Sequence, residues 1–147
     1  MLAQMSMRDK IFAVEDEMRK HPQLEIPVRH YFSDGVYARE ITIPKGAIVT
    51  GKIHKYQQLN ILSAGEMSVW IEDGLIKRVK APFTTVSPPG TKRVAYAHEE
   101  SVWTTILATE ETDPEKIEAH FVTNSEREYL EFCEHQLKLE NKCPSSV

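Results

Sequence analysis

The sequence has no long apolar run. A membrane-spanning helix needs about 20 predominantly apolar residues, and no stretch of this 147-residue chain comes near that. No membrane partner is expected. The first twenty residues, Met1 to Lys20, mix acids and bases. They have neither a signal peptide's apolar centre nor a transit peptide's acid-poor character, so a cytoplasmic location is expected. Basic residues are not in excess either: 18 Lys and Arg stand against 22 Asp and Glu, for a net charge of −4. General nucleic-acid binding needs a basic face and is not expected. Cysteine is scarce. Cys133 and Cys143 are the two present; they form no CxxC pair, and reduced thiols are expected. His135 beside Cys133 is too little for a zinc site. Ser63, Ser68 and Ser87 lack a nucleophile-elbow context. Pro88-Pro89-Gly90-Thr91-Lys92 is a turn followed by lysine, without the phosphate-loop pattern. No internal repeat or low-complexity tract is found.

What is present falls into three regions, 1–22, 23–110 and 111–147. Ser6 to about Lys20 reads as a helix, with Ser6 and Asp9 placed as a capping box and His21-Pro22 ending it. Residues 24–108 read as strands throughout. Turn signals at Ser33-Asp34-Gly35, Pro44-Lys45-Gly46, Ala64-Gly65-Glu66, Glu72-Asp73-Gly74, Pro88-Pro89-Gly90 and His98–Ser101 separate short β-rich runs. The runs are Val36–Ile43, Ile48–His54, Gln58–Leu62, Met67–Ile71, Leu75–Val79, Phe83–Val86, Arg93–His98 and Val102–Ala108. Asp73-Gly74 is a two-residue hairpin signal. So many short strands at close spacing predict a sandwich or barrel. After Asp113-Pro114, an acidic cap followed by proline at the first helical position, the chain reads as helical. Ser125–Glu128 forms a second capping box, and Tyr129, Leu130, Phe132, Cys133 and Leu137 share one face. Asn141–Val147 reads as a tail.

Two spacings stand out. In the first, Gly46 is followed after five residues by Lys52-Ile53-His54, after three more by Gln58, and after six more by Gly65. In the second, Pro82 precedes Pro88-Pro89-Gly90, and Arg93 follows three residues after Gly90. Strand side chains alternate faces, so Lys52, His54, Tyr56 and Gln58 point one way if their strand is unbroken.

These spacings resemble the two motifs of the cupin superfamily, over about residues 36–108. The first motif runs glycine, His-x-His, Glu, Gly; the second runs glycine, Pro-x-Gly, His. The resemblance implies a mainly β chain: a cupin-type jelly-roll β-barrel, here with an N-terminal helix and a C-terminal helical extension. It is similar in general look to small phage and bacterial cupin-like proteins. Cupins with the full motif hold Fe, Mn, Ni or Zn on three histidines and a glutamate. Of that set this sequence keeps His54. Gln58 offers only a neutral amide oxygen, and Lys52 and Arg93 cannot ligate while protonated. At ~5 Å and an effective dielectric of ~20, each +1/+2 contact costs about 6–7 kcal/mol. No usual metal site is therefore favoured. A shifted site would draw on His54, Gln58 and His98, although alternation points His98 away from Arg93's face.

The favoured reading is a small-molecule-binding domain holding an anionic or nucleotide-like ligand inside the barrel. Lys52 and Arg93, with Lys92 or Arg39 nearby, would neutralise charge. His54 and Gln58 would orient the ligand, and Tyr56 or Trp103 would stack on it. Sequestering a signalling nucleotide is one coherent role if the chain is phage-borne. One rival is a metal-dependent dioxygenase, isomerase or epimerase centred on His54; catalysis is not the favoured reading. The other is a structural or assembly scaffold. Blander fates stand beside these: Lys52 and Arg93 solvated at a mouth, His54 satisfied in the core, Trp70 and Trp103 as core. The amphipathic C-terminal helix needs a surface to lie on, and a homodimer or higher homo-oligomer is expected.

Overall fold

The computed structural model describes residues 5–70 and 76–142. The expected hairpin turn at Asp73-Gly74 and the thiol of Cys143 lie outside these. Helix α1 covers Met7–Met18, and the Ser6 hydroxyl accepts from the Asp9 N–H as its N-cap. Then come β1 (Val28–Ser33), β2 (Val36–Ile43), β3 (Ile48–Thr50), β4 (Ile53–His54), β5 (Gln58–Ala64) and β6 (Glu66–Trp70). They are followed by β7 (Ile76–Lys80), β8 (Phe83–Ser87), β9 (Val94–Ala97) and β10 (Ser101–Ala108). The chain closes with α2 (Pro114–Phe121), β11 (Val122–Thr123) and α3 (Glu126–Lys142).

The strands build two main antiparallel sheets. One has five strands in the order β1-β2-β10-β5-β8, the other four in the order β3-β9-β6-β7. Their inner faces share one core: Ile43 and Leu62 from the first meet Met67, Val69, Val79, Ala95 and Ala97 from the second. This is a double-stranded β-helix. The expected closed barrel is corrected in one respect: among the described residues neither sheet closes on itself. Enclosure comes from two facing sheets and from what covers their open end. No helix among the described residues is long and apolar enough to cross a membrane.

Two glycines of the motif spacings have steric reasons. Gly65 turns β5 into β6 with φ +92, and a Cβ there would sit 2.2 Å from the Ser101 hydroxyl and 2.4 Å from the Glu100 carbonyl. Gly90 has φ +85, and a Cβ would fall 2.6 Å from the Tyr129 hydroxyl. Both conditions admit only glycine without rearrangement.

Two features depart from the expected elements. The run Ile48–His54 is broken at Gly51-Lys52 into β3 and β4, because its two halves have different partners. Thr50 pairs with Val94 on β9, whereas His54 pairs with Val122 on β11. Strand β1 was not singled out as a run; it is an edge strand whose six residues are all exposed, so it shows no buried alternation to read.

Both terminal helical regions are fastened to the sheets. On α1, Glu15 reaches Lys92, with Nζ 2.5 Å from Oε1. The Lys92 side chain is 3% exposed, donates to the Gly51 carbonyl and lies over the Phe12 ring. Arg8 bridges the Gly90 carbonyl and Glu126 of α3. Asp113 caps α2 by accepting from the Glu115 N–H, with Pro114 at the first position. Ser125 accepts from the Glu128 N–H and caps α3.

Candidate functional site

The two motif segments meet in the backbone. The Gly90 N–H donates to the His54 carbonyl at 2.7 Å, the His54 N–H to the Thr91 carbonyl at 3.2 Å, and the Gly51 N–H to the Arg93 carbonyl at 3.0 Å. This ladder continues the β3–β9 pairing. It brings His54 and Arg93, which lie 39 positions apart in the sequence, to neighbouring places on one wall.

That wall borders a cavity of about 640 Å³ between the two sheets. The size lies within the range usual for small-molecule sites. The floor is apolar, formed in part by Ile41, Ile43, Val49, Met67, Val69 and Ala95. The open end is covered from two directions. Leu24, Ile26 and Val28 approach from the N-terminal side, and Ile117, Glu118 and Phe121 of α2 from the other. Helix α2 is held there because β11 pairs with β4 and the Lys55 N–H donates to the Phe121 carbonyl. The region after residue 110 thus forms part of the cavity, whereas the sequence marked it only as a helical extension.

Arg93 and Trp103 both line this cavity, and the guanidinium lies over the indole at 5.5 Å from the ring centroid. Together with Val69 they also border a second cavity of about 350 Å³ on the side of the Pro88–Gly90 turn. Burial lowers the Arg93 pKa to about 10, so it is a cation at neutral pH. Among the described residues no carboxylate pairs with it. Arg39 lines the cavity as well and likewise makes no ion pair among them.

The His54 pKa is lowered to about 4. Burial is the main cause, followed by the positive charges of Arg93, Arg39 and Lys92. The imidazole is therefore neutral at physiological pH, and its buried Nδ1 has no hydrogen-bond partner among the described residues. Lys52 borders the mouth, 48% exposed, in an ion pair with Glu118 at 2.5 Å. Opposite, His30 and Tyr37 share a hydrogen bond of 2.6 Å. Burial raises the Tyr37 pKa, with Arg39 opposing and Glu118 reinforcing the rise. Beside Trp103 on β10, Thr105 donates to Asn60, and Asn60 in turn donates to Ser87, each at 2.9 Å. These bonds join β10, β5 and β8.

Of the residues singled out from the sequence, Lys52, His54, Arg93 and Trp103 line one cavity. Tyr56 does not. The chain bends after β4, and Tyr56 packs outside among His120, Phe121 and Phe132. Gln58 is 3% exposed with both amide atoms unpaired among the described residues, and it borders neither cavity. His98 lies on the opposite face of the four-stranded sheet, hydrogen-bonded to Ser68 at 2.7 Å and edge-on to Tyr96. Lys92 faces α1 rather than the cavity. The residues missed are Glu115, Glu118, Ile117 and Phe121, which lie beyond the strand region. The amphipathic spacing of α2 was the available signal, since it requires an apolar surface to cover.

The metal implied by the fold does not fit the residues present. Among the described residues no group of three or more His, Cys, Asp or Glu side chains is arranged to hold an ion. The position of one usual ligand holds Lys52, already paired with Glu118, and another holds a guanidinium. The same cations that depress the His54 pKa would repel a divalent ion.

No family model and no curated protein matches the sequence. Solved structures do. A conserved Klebsiella pneumoniae protein with a double-stranded β-helix domain matches with TM-score 0.52 and 16% identity, over 67% of this chain and 89% of that one. KdgF from Halomonas matches with TM-score 0.50 and 19% identity, over 65% and 91%. Protein NMB1881 from Neisseria meningitidis matches with TM-score 0.50 and 9% identity, over 65% and 95%. The shared fold is the double-stranded β-helix. At these identities the likeness concerns the fold, and function has to be argued from the cavity.

Proposed function

We propose that this is a small-molecule-binding cupin domain whose cavity holds an anion on Arg93. The observation that carries the reading is a partly buried guanidinium with no carboxylate partner among the described residues, facing a cavity of about 640 Å³. A buried cation without a counter-charge is costly to maintain. A ligand carboxylate or phosphate would supply that counter-charge, and the planar fork suits either group. Trp103 fixes one face of the guanidinium and leaves its edges for the ligand. His54, neutral, offers an orienting hydrogen bond without adding charge. A purely structural scaffold gives no reason for a partly buried, unpaired cation and an open cavity in one place.

Calorimetric titration with a panel of small anions tests this. Inorganic phosphate, adenosine monophosphate, benzoate and straight-chain carboxylates would each be added to the wild type and to Arg93→Met. A charge-assisted hydrogen bond contributes about 1.5–3 kcal/mol, so at least one anion should bind with a roughly ten- to hundredfold loss in the variant. Equal affinity in both proteins, or no binding by any of the anions, would end the proposal.

A further inference from the structure

Building on the reading of Arg93 as an anion site, we infer that the ligand is an amphipathic monocarboxylate, an acid with one negative head and an apolar body. Three independent observations narrow the class. The first is charge. The cavity is lined by Arg39, Lys52 and Arg93 and by the carboxylates of Glu115 and Glu118. With His54 neutral and His30 left aside, these leave a single net positive charge. That balance suits one carboxylate; a phosphomonoester or a nucleoside diphosphate carries two or more charges and would face the two glutamates at the mouth.

The second observation is the occupation of flat and polar groups. A nucleobase needs a ring platform and several free donors and acceptors. Trp103 already carries Arg93 on one face, and Tyr56 is packed away from the cavity. The Asn60 amide is used by Thr105 and Ser87, and Tyr37 by His30. Little is left to read a base edge.

The third is the apolar lining of the cavity. Ile41, Val49, Val69 and Ala95 come from the sheets, and Ile117 and Phe121 from α2. Burying apolar ligand surface against such a lining is favourable roughly in proportion to area. A short acid would leave much of it unfilled, so affinity should rise with chain length until the cavity is full.

The test is a calorimetric series of straight-chain carboxylates from butanoate to dodecanoate, set beside adenosine monophosphate and inorganic phosphate. Wild type, Arg93→Met and Glu118→Gln would be compared; Glu118 is half-exposed, and its replacement is not expected to disturb folding. In the wild type each added methylene should tighten binding about fourfold until a plateau. The dicharged anions should bind at least tenfold more weakly than the best acid. Arg93→Met should weaken the whole carboxylate series without changing the increment per methylene. Glu118→Gln, which adds one net positive charge, should narrow the gap between adenosine monophosphate and the acids. If the nucleotide or phosphate binds best and depends on Arg93, the amphipathic class is overturned while the anion site stands. If the acids bind with no dependence on Arg93, or no anion binds, both fall. If affinity does not change with chain length, the apolar part of the inference is wrong.

Discussion

Replacing Arg93 by methionine should make the ligand-free protein more stable. The native site holds the guanidinium against the preference of a buried environment for neutral groups. Burial lowers its pKa to about 10, well below arginine's ordinary value. That depression corresponds to about 3 kcal/mol by which the charged form is disfavoured in the folded state. Methionine is comparable in length and carries no charge, so the variant escapes that penalty. It loses the contact over Trp103, worth about 0.5–2 kcal/mol. The net expectation is a stabilisation of about 1–2.5 kcal/mol. At roughly 2–4 °C per kcal/mol for a chain of this size, the melting temperature should rise by about 2–10 °C. Calorimetric melts of both proteins, dialysed into the same chloride buffer at pH 7.5, measure it. Saturating octanoate should narrow or reverse the gap: a ligand at about 100 times the wild-type dissociation constant adds about 2.7 kcal/mol to the wild type but only about 0.4–1.4 kcal/mol to a variant that binds ten- to hundredfold more weakly. A gain of function at the expense of stability is the usual signature of a binding site. A ligand-free variant that melts below the wild type would refute the reasoning, because Arg93 would then be a structural residue with its interactions satisfied.

Two further outcomes follow from the same structure. His54 has a folded pKa of about 4 against an ordinary 6.5, so between those pH values the unfolded chain takes up a proton that the folded chain does not. Its contribution is complete above pH 6.5 and is lost as pH falls to 4. Denaturant melts at pH 7 and pH 4 should show the wild type losing up to about 3 kcal/mol more than His54→Gln; parallel losses would contradict the assigned burial. Glu15→Gln removes one carboxylate partner of Lys92, whose side chain is 3% exposed, and should cost about 1.5–3 kcal/mol, the contribution of a charge-assisted bond. A loss under 1 kcal/mol would show that α1 is not held by that pair.

The fold was legible because its signals are local or steric. Gly65 and Gly90 mark turns that exclude a side chain, Ser6, Asp113 and Ser125 cap the three helices, and Val36–Ile43 appears as a strand at the expected residues. The site was legible where two segments pair directly. His54 and Arg93 fall together because the stretch Gly51–His54 hydrogen-bonds with Gly90–Arg93. Legibility failed where strand alternation was carried through a bend: Tyr56, two residues after His54, lies outside the cavity because β4 ends at His54. It failed again where a long-range contact decides a charge. Nothing near Lys52 in sequence shows that Glu118 will neutralise it across 66 positions. That single ion pair moves the charge centre of the cavity from Lys52 to Arg93.

The most direct measurement is a crystal structure of the protein grown with 4-bromobenzoate, with anomalous diffraction collected at the bromine edge. The account predicts the carboxylate within about 2.7–2.9 Å of the Arg93 guanidinium nitrogens. The bromine should lie in the apolar part of the cavity, near Ile41, Val49 and Val69. A bromine bound at saturating concentration anywhere else, with Arg93 uncontacted, would contradict the central claim.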